Sequence, residues 1–159
     1  MNREQLSIAG LDALEQFAGV LAPQLESGDV LLLHGDLGAG KTTLTQAVAR
    51  MLDVDEEQNV CSPSFSLMHE YVGRLTLRHM DLYRLHGIDD VENAGLLEFI
   101  GAPGLCIIEW PDRLGAALPI PRLDIFLEPG TTAHTVILAG HGSSWQQRVA
   151  EVAASYRAL

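Results

Sequence analysis

Lysine is nearly missing from this chain. Of the 10 Lys and Arg residues in 159, Lys41 is the single lysine and the rest are arginine. A chain that uses arginine for generic positive charge keeps lysine where arginine's broad, flat fork does not fit. Cysteine is scarce as well: Cys61 and Cys106 stand alone and far apart. That excludes a disulfide framework or a zinc site and fits a reduced, cytoplasmic protein, with Cys61 expected as a small buried or half-buried residue. Long apolar runs are also lacking. Although 47% of residues are hydrophobic, no stretch approaches the ~20 residues of a membrane span. The amino terminus, Met1-Asn2-Arg3-Glu4-Gln5, lacks the basic-then-apolar layout of a secretory signal. Basic clusters are absent, and the net charge is −11, so free nucleic acid meets repulsion and no local landing strip. No repeat or low-complexity linker divides the chain, which reads as one domain over 1–159.

What is present centres on the lone lysine. It lies in Gly35-Asp36-Leu37-Gly38-Ala39-Gly40-Lys41-Thr42-Thr43, the G-x-x-x-x-G-K-T pattern of a phosphate-binding loop. A chance match has odds of roughly one in a few hundred for a chain of this length. The apolar run 30–33 before it suits a buried parallel strand. After it, Leu44, Ala47, Val48 and Met51 recur at helical spacing. Glycines let the backbone turn so that N–H groups converge on phosphate oxygens, and the helix adds its positive end. In this pattern Lys41 reaches the β- and γ-phosphates and the Thr42 hydroxyl ligates Mg2+.

Elsewhere, Leu11, Leu14, Phe17, Ala18 and Leu21 mark a helix closed by Pro23 and Gly28 before the first strand. Residues 53–58 form an acidic connector. Phe65, Leu67, His69 and Tyr71 alternate as in a half-buried strand over 64–71. Gly73-Arg74 turns that strand into a second one over 75–81. Asp89 or Asp90 caps a helix running through Phe99 and Ile100. Residues 105–108 are a second fully apolar strand. The stretches 122–128 and 132–138, joined by Pro129-Gly130, form an antiparallel pair, and 144–157 is a closing amphipathic helix. The expected fold is α/β, a mixed, mostly parallel sheet of the P-loop NTPase type flanked by helices. The acidic groups at 53–57 and 89–98 are either solvated faces or a docking surface for a basic protein.

In such a sheet, ligands bind outside the carboxyl ends of the strands. Glu109 ends the apolar strand and is the candidate acid for Mg2+, directly or through water. Asp81 also ends a strand and is a second metal or water-orienting candidate. His79, two residues before Asp81, shares its face and is either a packing residue or a participant. Trp110 either packs beside the nucleotide or wedges a turn with Pro111. The Asn/Thr-Lys-x-Asp motif of regulatory GTPases requires a second lysine, so an adenine nucleotide is favoured.

The segments 34–44, Ser62-Pro63-Ser64-Phe65, His79-Met80-Asp81-Leu82-Tyr83-Arg84-Leu85 and Ile108-Glu109-Trp110-Pro111 resemble the ordered motifs of the TsaE family. These are bacterial ATPases of tRNA threonylcarbamoyladenosine synthesis, and the resemblance covers roughly 11–128. It implies ATP and Mg2+ as cofactors, TsaB and TsaD as protein partners, and tRNA held only through them. The family's pattern carries over Lys41 as phosphate contact, Thr42 and Glu109 as Mg2+ ligands, and Asp81 as important for hydrolysis. Residues 62–65 become a nucleotide-sensitive switch. Two positions depart from that pattern: Ser64 stands where Thr is usual, and Leu14 where a Thr near the base is frequent. The adenine pocket is therefore left unassigned. A small-molecule P-loop kinase is the competing reading, but only Arg84 of the scattered arginines lies beside a motif. Arg84 is also the one candidate for an arginine finger in cis.

Overall fold

The computed structural model describes residues 2–63 and 65–159. Ser64, part of the expected strand and switch, lies outside the described residues. Seven strands form one sheet in the order β1-β7-β6-β2-β5-β4-β3. Their bounds are Asn2–Ile8 (β1), Val30–His34 (β2), Met68–Tyr71 (β3), Leu77–Asp81 (β4), Leu105–Glu109 (β5), Arg122–Glu128 (β6) and His134–His141 (β7). β6, β2, β5 and β4 pair in parallel, while β3, β7 and β1 join antiparallel at the edges. The helices are Gly10–Leu21 (α1), Lys41–Met51 (α2), Ile88–Asn93 (α3) and Ser143–Arg157 (α4). No helix among the described residues is long and apolar enough to cross a membrane.

The central strands read as unbroken apolar runs because both their faces are covered. Leu31 and Leu33 point into the core under α1, α2 and α4, whereas Val30 and Leu32 point into a smaller core with Val91, Leu96 and Leu114. β5 alternates in the same way, with Leu105 and Ile107 on the first side and Cys106 and Ile108 on the second. α4 is locked to the start of β2 by a buried ion pair. The Arg148 guanidinium donates to both Asp29 oxygens, at 2.6 and 3.0 Å, and to the Gln24 carbonyl at 2.8 Å.

Several expectations are corrected. The amino-terminal residues form strand β1, paired along β7 with Leu6 opposite Val136. Only Leu6 and Ile8 of that strand are buried, too short an alternation to stand out. Leu11, expected on the apolar face of α1, is exposed, and Met51 turns outward at the end of α2. β3 begins only at Met68, because Leu67 has φ +67 and breaks the extended run. The capped helix reaching Phe99 is instead the six-residue α3, ending before Gly95 at φ +74 and followed by a 3-10 turn at Leu97–Phe99. Asp90 does not cap it but accepts from the His86 backbone N–H at 2.8 Å. The last strand starts at His134, not Thr132, and continues to His141. Cys61 is exposed, while Cys106 is buried.

Candidate functional site

The carboxyl ends of β2, β5 and β4 converge on one cavity of about 570 Å³, lined by the phosphate loop, Ser62, Asp81, Tyr83, Arg84, Glu109 and Trp110. The loop follows β2 directly and delivers the chain into α2. Its last residue, Gly40, has φ +100, a conformation that a side chain disfavours. Gly35 is small for a different reason: a Cβ there would meet the Ala39 Cβ at 2.9 Å and the Leu127 carbonyl at 3.0 Å. Among the described residues, no side chain caps the start of α2. Its first-turn N–H groups therefore face the cavity with no intrahelical acceptor, which is the arrangement that binds phosphate.

Lys41 is buried and bent back over the loop. Its Nζ donates to the Gly35 carbonyl at 2.5 Å and sits 3.9 Å from the centre of the Trp110 ring. Burial draws its ammonium below the ordinary lysine value, and the carboxylates of Glu109, Asp81, Asp36 and Asp112 pull the other way without cancelling it. An ammonium held this way, without a direct carboxylate bond, is ready for an anionic ligand. Trp110, just after β5, has φ +59, and its ring contacts both Lys41 and Tyr83, with the Tyr83 ring centre 4.9 Å away. It turns the chain into Pro111 and lines the cavity.

The two acids occupy one rung of the sheet, Asp81 opposite Glu109. Glu109 is almost fully buried, and its Oε2 accepts from the Thr42 hydroxyl at 3.4 Å and from His79 Nε2 at 2.5 Å. Asp81 is tied differently: Oδ2 accepts from the Ser62 hydroxyl at 2.9 Å and Oδ1 from the Tyr83 N–H at 3.0 Å. His79 does share the Asp81 face, but its partner is Glu109. Ser62, the start of the expected switch, is therefore bonded to the acid at the end of β4. Phe65, on the far side of Ser64, is 84% exposed and lies under the Arg84 guanidinium at 4.3 Å.

Of the predicted loop residues, Leu37, Gly38, Gly40, Lys41, Thr42 and Thr43 line this cavity together with both acids, whereas Gly35 and Asp36 line a neighbouring cavity and Ala39 lines one on the outer side of the loop. Tyr83 was missed as a lining residue, although it lies within a motif. A second cavity of about 310 Å³ was missed too. It adjoins the outer side of the loop at Gly38, Gly40 and Thr43, with walls from Ile8, Leu11, Leu14, His134 and Val136. No local pattern marks it, because β1, α1 and β7 come together there only in the fold.

Thr42, Glu109 and Asp81 present a hydroxyl and two carboxylates, the hard oxygen donors that suit Mg2+. Among the described residues, no group of three or more His, Cys, Asp or Glu forms a metal cage. Mg2+ at a nucleotide site requires none, since phosphates and water complete its shell. The donor set fits.

A family model described as threonylcarbamoyl adenosine biosynthesis protein TsaE matches residues 8–136. The tRNA threonylcarbamoyladenosine biosynthesis protein TsaE of Treponema pallidum is 43% identical over 100 residues, 63% of this chain and 73% of that protein. The protein of the same name from Bacillus subtilis is 42% identical over 112 residues, covering 70% of this chain and 68% of its own. The crystal structure of Bacillus subtilis YdiB matches with a TM-score of 0.75 and 29% identity, over 96% of this chain and 95% of that one.

Proposed function

The chain belongs to the TsaE family, and from that premise we propose a Mg2+-dependent ATPase required for tRNA threonylcarbamoyladenosine synthesis. In this reading it works with TsaB and TsaD as a supporting ATPase. The transfer to N6 of the adenosine beside the anticodon, in tRNAs reading codons that begin with adenine, belongs to TsaD. The observation that carries the ATPase reading is the uncapped start of α2, with Lys41, Thr42 and Glu109 around one cavity.

Backbone N–H groups of the loop and α2 bind the β-phosphate, and Lys41 leaves the Gly35 carbonyl to meet the β- and γ-phosphates. Thr42 and Glu109 hold Mg2+, which when bound offsets charge on the phosphates as the terminal bond breaks. Asp81 orients Ser62, coupling the phosphate site to the segment 62–65, which orders around the γ-phosphate and loosens after its loss. The outer cavity, apolar through Ile8, Leu11, Leu14 and Val136, suits a flat adenine. With −11 net charge, tRNA is held by the partners rather than by this chain.

The test measures phosphate release and nucleotide binding for the wild type, Glu109→Gln and Asp81→Asn, with and without TsaB and TsaD. Slow turnover alone, a changed rate with partners, and at least a tenfold loss in Glu109→Gln with binding retained are expected. Unchanged phosphate release in both variants would remove the assignment. Tight, salt-sensitive capture of bare tRNA would contradict the division of labour.

A further inference from the structure

We infer that His79 positions the Glu109 carboxylate for the divalent cation, as a fixed donor acting through Nε2. The inference rests on the proposed reading of Glu109 as a metal-holding residue. His79 has no exposed surface, and its Nε2 lies 2.5 Å from Glu109 Oε2. A carboxylate oxygen only accepts, so Nε2 carries the proton. Nδ1 is buried and has no partner among the described residues.

The need for such a donor follows from the sheet register. Asp81 and Glu109 stand directly opposite each other on adjacent strands, where like charges repel. Ser62 and the Tyr83 N–H take both oxygens of Asp81. On Glu109 the short bond comes from His79, since the Thr42 hydroxyl is 3.4 Å away. With Oε2 held, Oε1 has no protein partner among the described residues and is left for the cation. An imidazole suits this task because it is rigid and reaches diagonally from two rungs below, on the same face, where His79 faces Ile107. Hydrogen-bond partners of metal-holding carboxylates typically change metal affinity by 10–100-fold when removed.

The experiment is a Mg2+ titration of binding of a non-hydrolysable ATP analogue, followed by calorimetry. In His79→Leu the Mg2+ concentration for half-saturation rises at least about tenfold, while affinity for the analogue without metal stays within about twofold. His79→Gln, whose amide N–H reaches about as far as Nε2, returns close to wild type, and His79→Asn, which is shorter, does not. In a Glu109→Gln background, His79→Leu has no further effect on Mg2+ dependence. Should His79→Leu fail to fold, the Gln and Asn pair decides alone. Unchanged Mg2+ dependence in folded His79→Leu, equal behaviour of Gln and Asn, or an undiminished effect in the Glu109→Gln background would overturn the positioning role. If Glu109→Gln itself leaves Mg2+ dependence unchanged, the reading of Glu109 fails instead.

Discussion

Replacing Lys41 by arginine keeps the charge and isolates the shape of the site. The ammonium is held with the Gly35 carbonyl 2.5 Å from Nζ and the Trp110 ring centre 3.9 Å away. A guanidinium is wider and planar, so it cannot keep both of these contacts in the same place and meets the phosphates with a different shape. Lys41 is 5% exposed, so the side chain cannot relax into solvent without abandoning the phosphates. Loss of a charge-assisted hydrogen bond is worth about 1.5–3 kcal/mol, or roughly 10- to 150-fold in Kd. Lys41→Met, which removes the charge and keeps the length, sets the scale. The arginine variant should weaken ATP at least as much. Trp110 lies at the site and the other tryptophan, Trp145, is fully buried, so intrinsic fluorescence reports binding, with circular dichroism as the folding control. A folded Lys41→Arg protein within about twofold of wild-type affinity would refute the argument that shape retains the lone lysine.

Three further outcomes test the scaffold. Arg148→Ala leaves Asp29, 6% exposed, without its bidentate partner; unfolding free energy should fall by about 3–5 kcal/mol, and Tm by about 6–20 °C. Loss of less than about 1 kcal/mol would mean the pair is not holding α4 to β2. At Asp124, burial raises the carboxyl pKa, but hydrogen bonds from His34 and Arg122 outweigh it and hold the group below its ordinary value. Its contribution is therefore present above the unfolded pKa of about 3.9 and lost as pH falls through the lower folded value. The gap in urea midpoint between wild type and Asp124→Asn should persist at neutral pH and close in strong acid; a pH-independent gap would contradict this. Finally, a maleimide should add once to the native protein, at exposed Cys61, because burial protects Cys106 and pushes its thiol up to about 12. Equal labelling of both by intact mass would show that β5 is not buried.

The phosphate loop, the strand before it and the helix after it were legible in the sequence because they are local. A glycine pattern, an apolar run and a 3.6-residue period each act on neighbouring residues. The same holds for Glu109, which ends a fully apolar strand, and for the antiparallel pair β6 and β7, separated by a short turn. Lys41 was legible by composition, as the one place where arginine was not used. What the fold alone decided is long-range. β1 has only two buried residues and becomes a strand because β7, more than a hundred positions away, offers its edge. The outer cavity arises where β1, α1 and β7 meet beside the loop. His79 and Asp81 share a face, as strand alternation requires, but the register of β4 against β5 gives one residue to Glu109 and leaves the other to Ser62. The Trp110-Pro111 turn was readable as one alternative, but the contact of the Trp110 ring with Lys41 depends on the left-handed turn and the packing around it. Sequence period sets which residues face inward; packing and register set which of them touch.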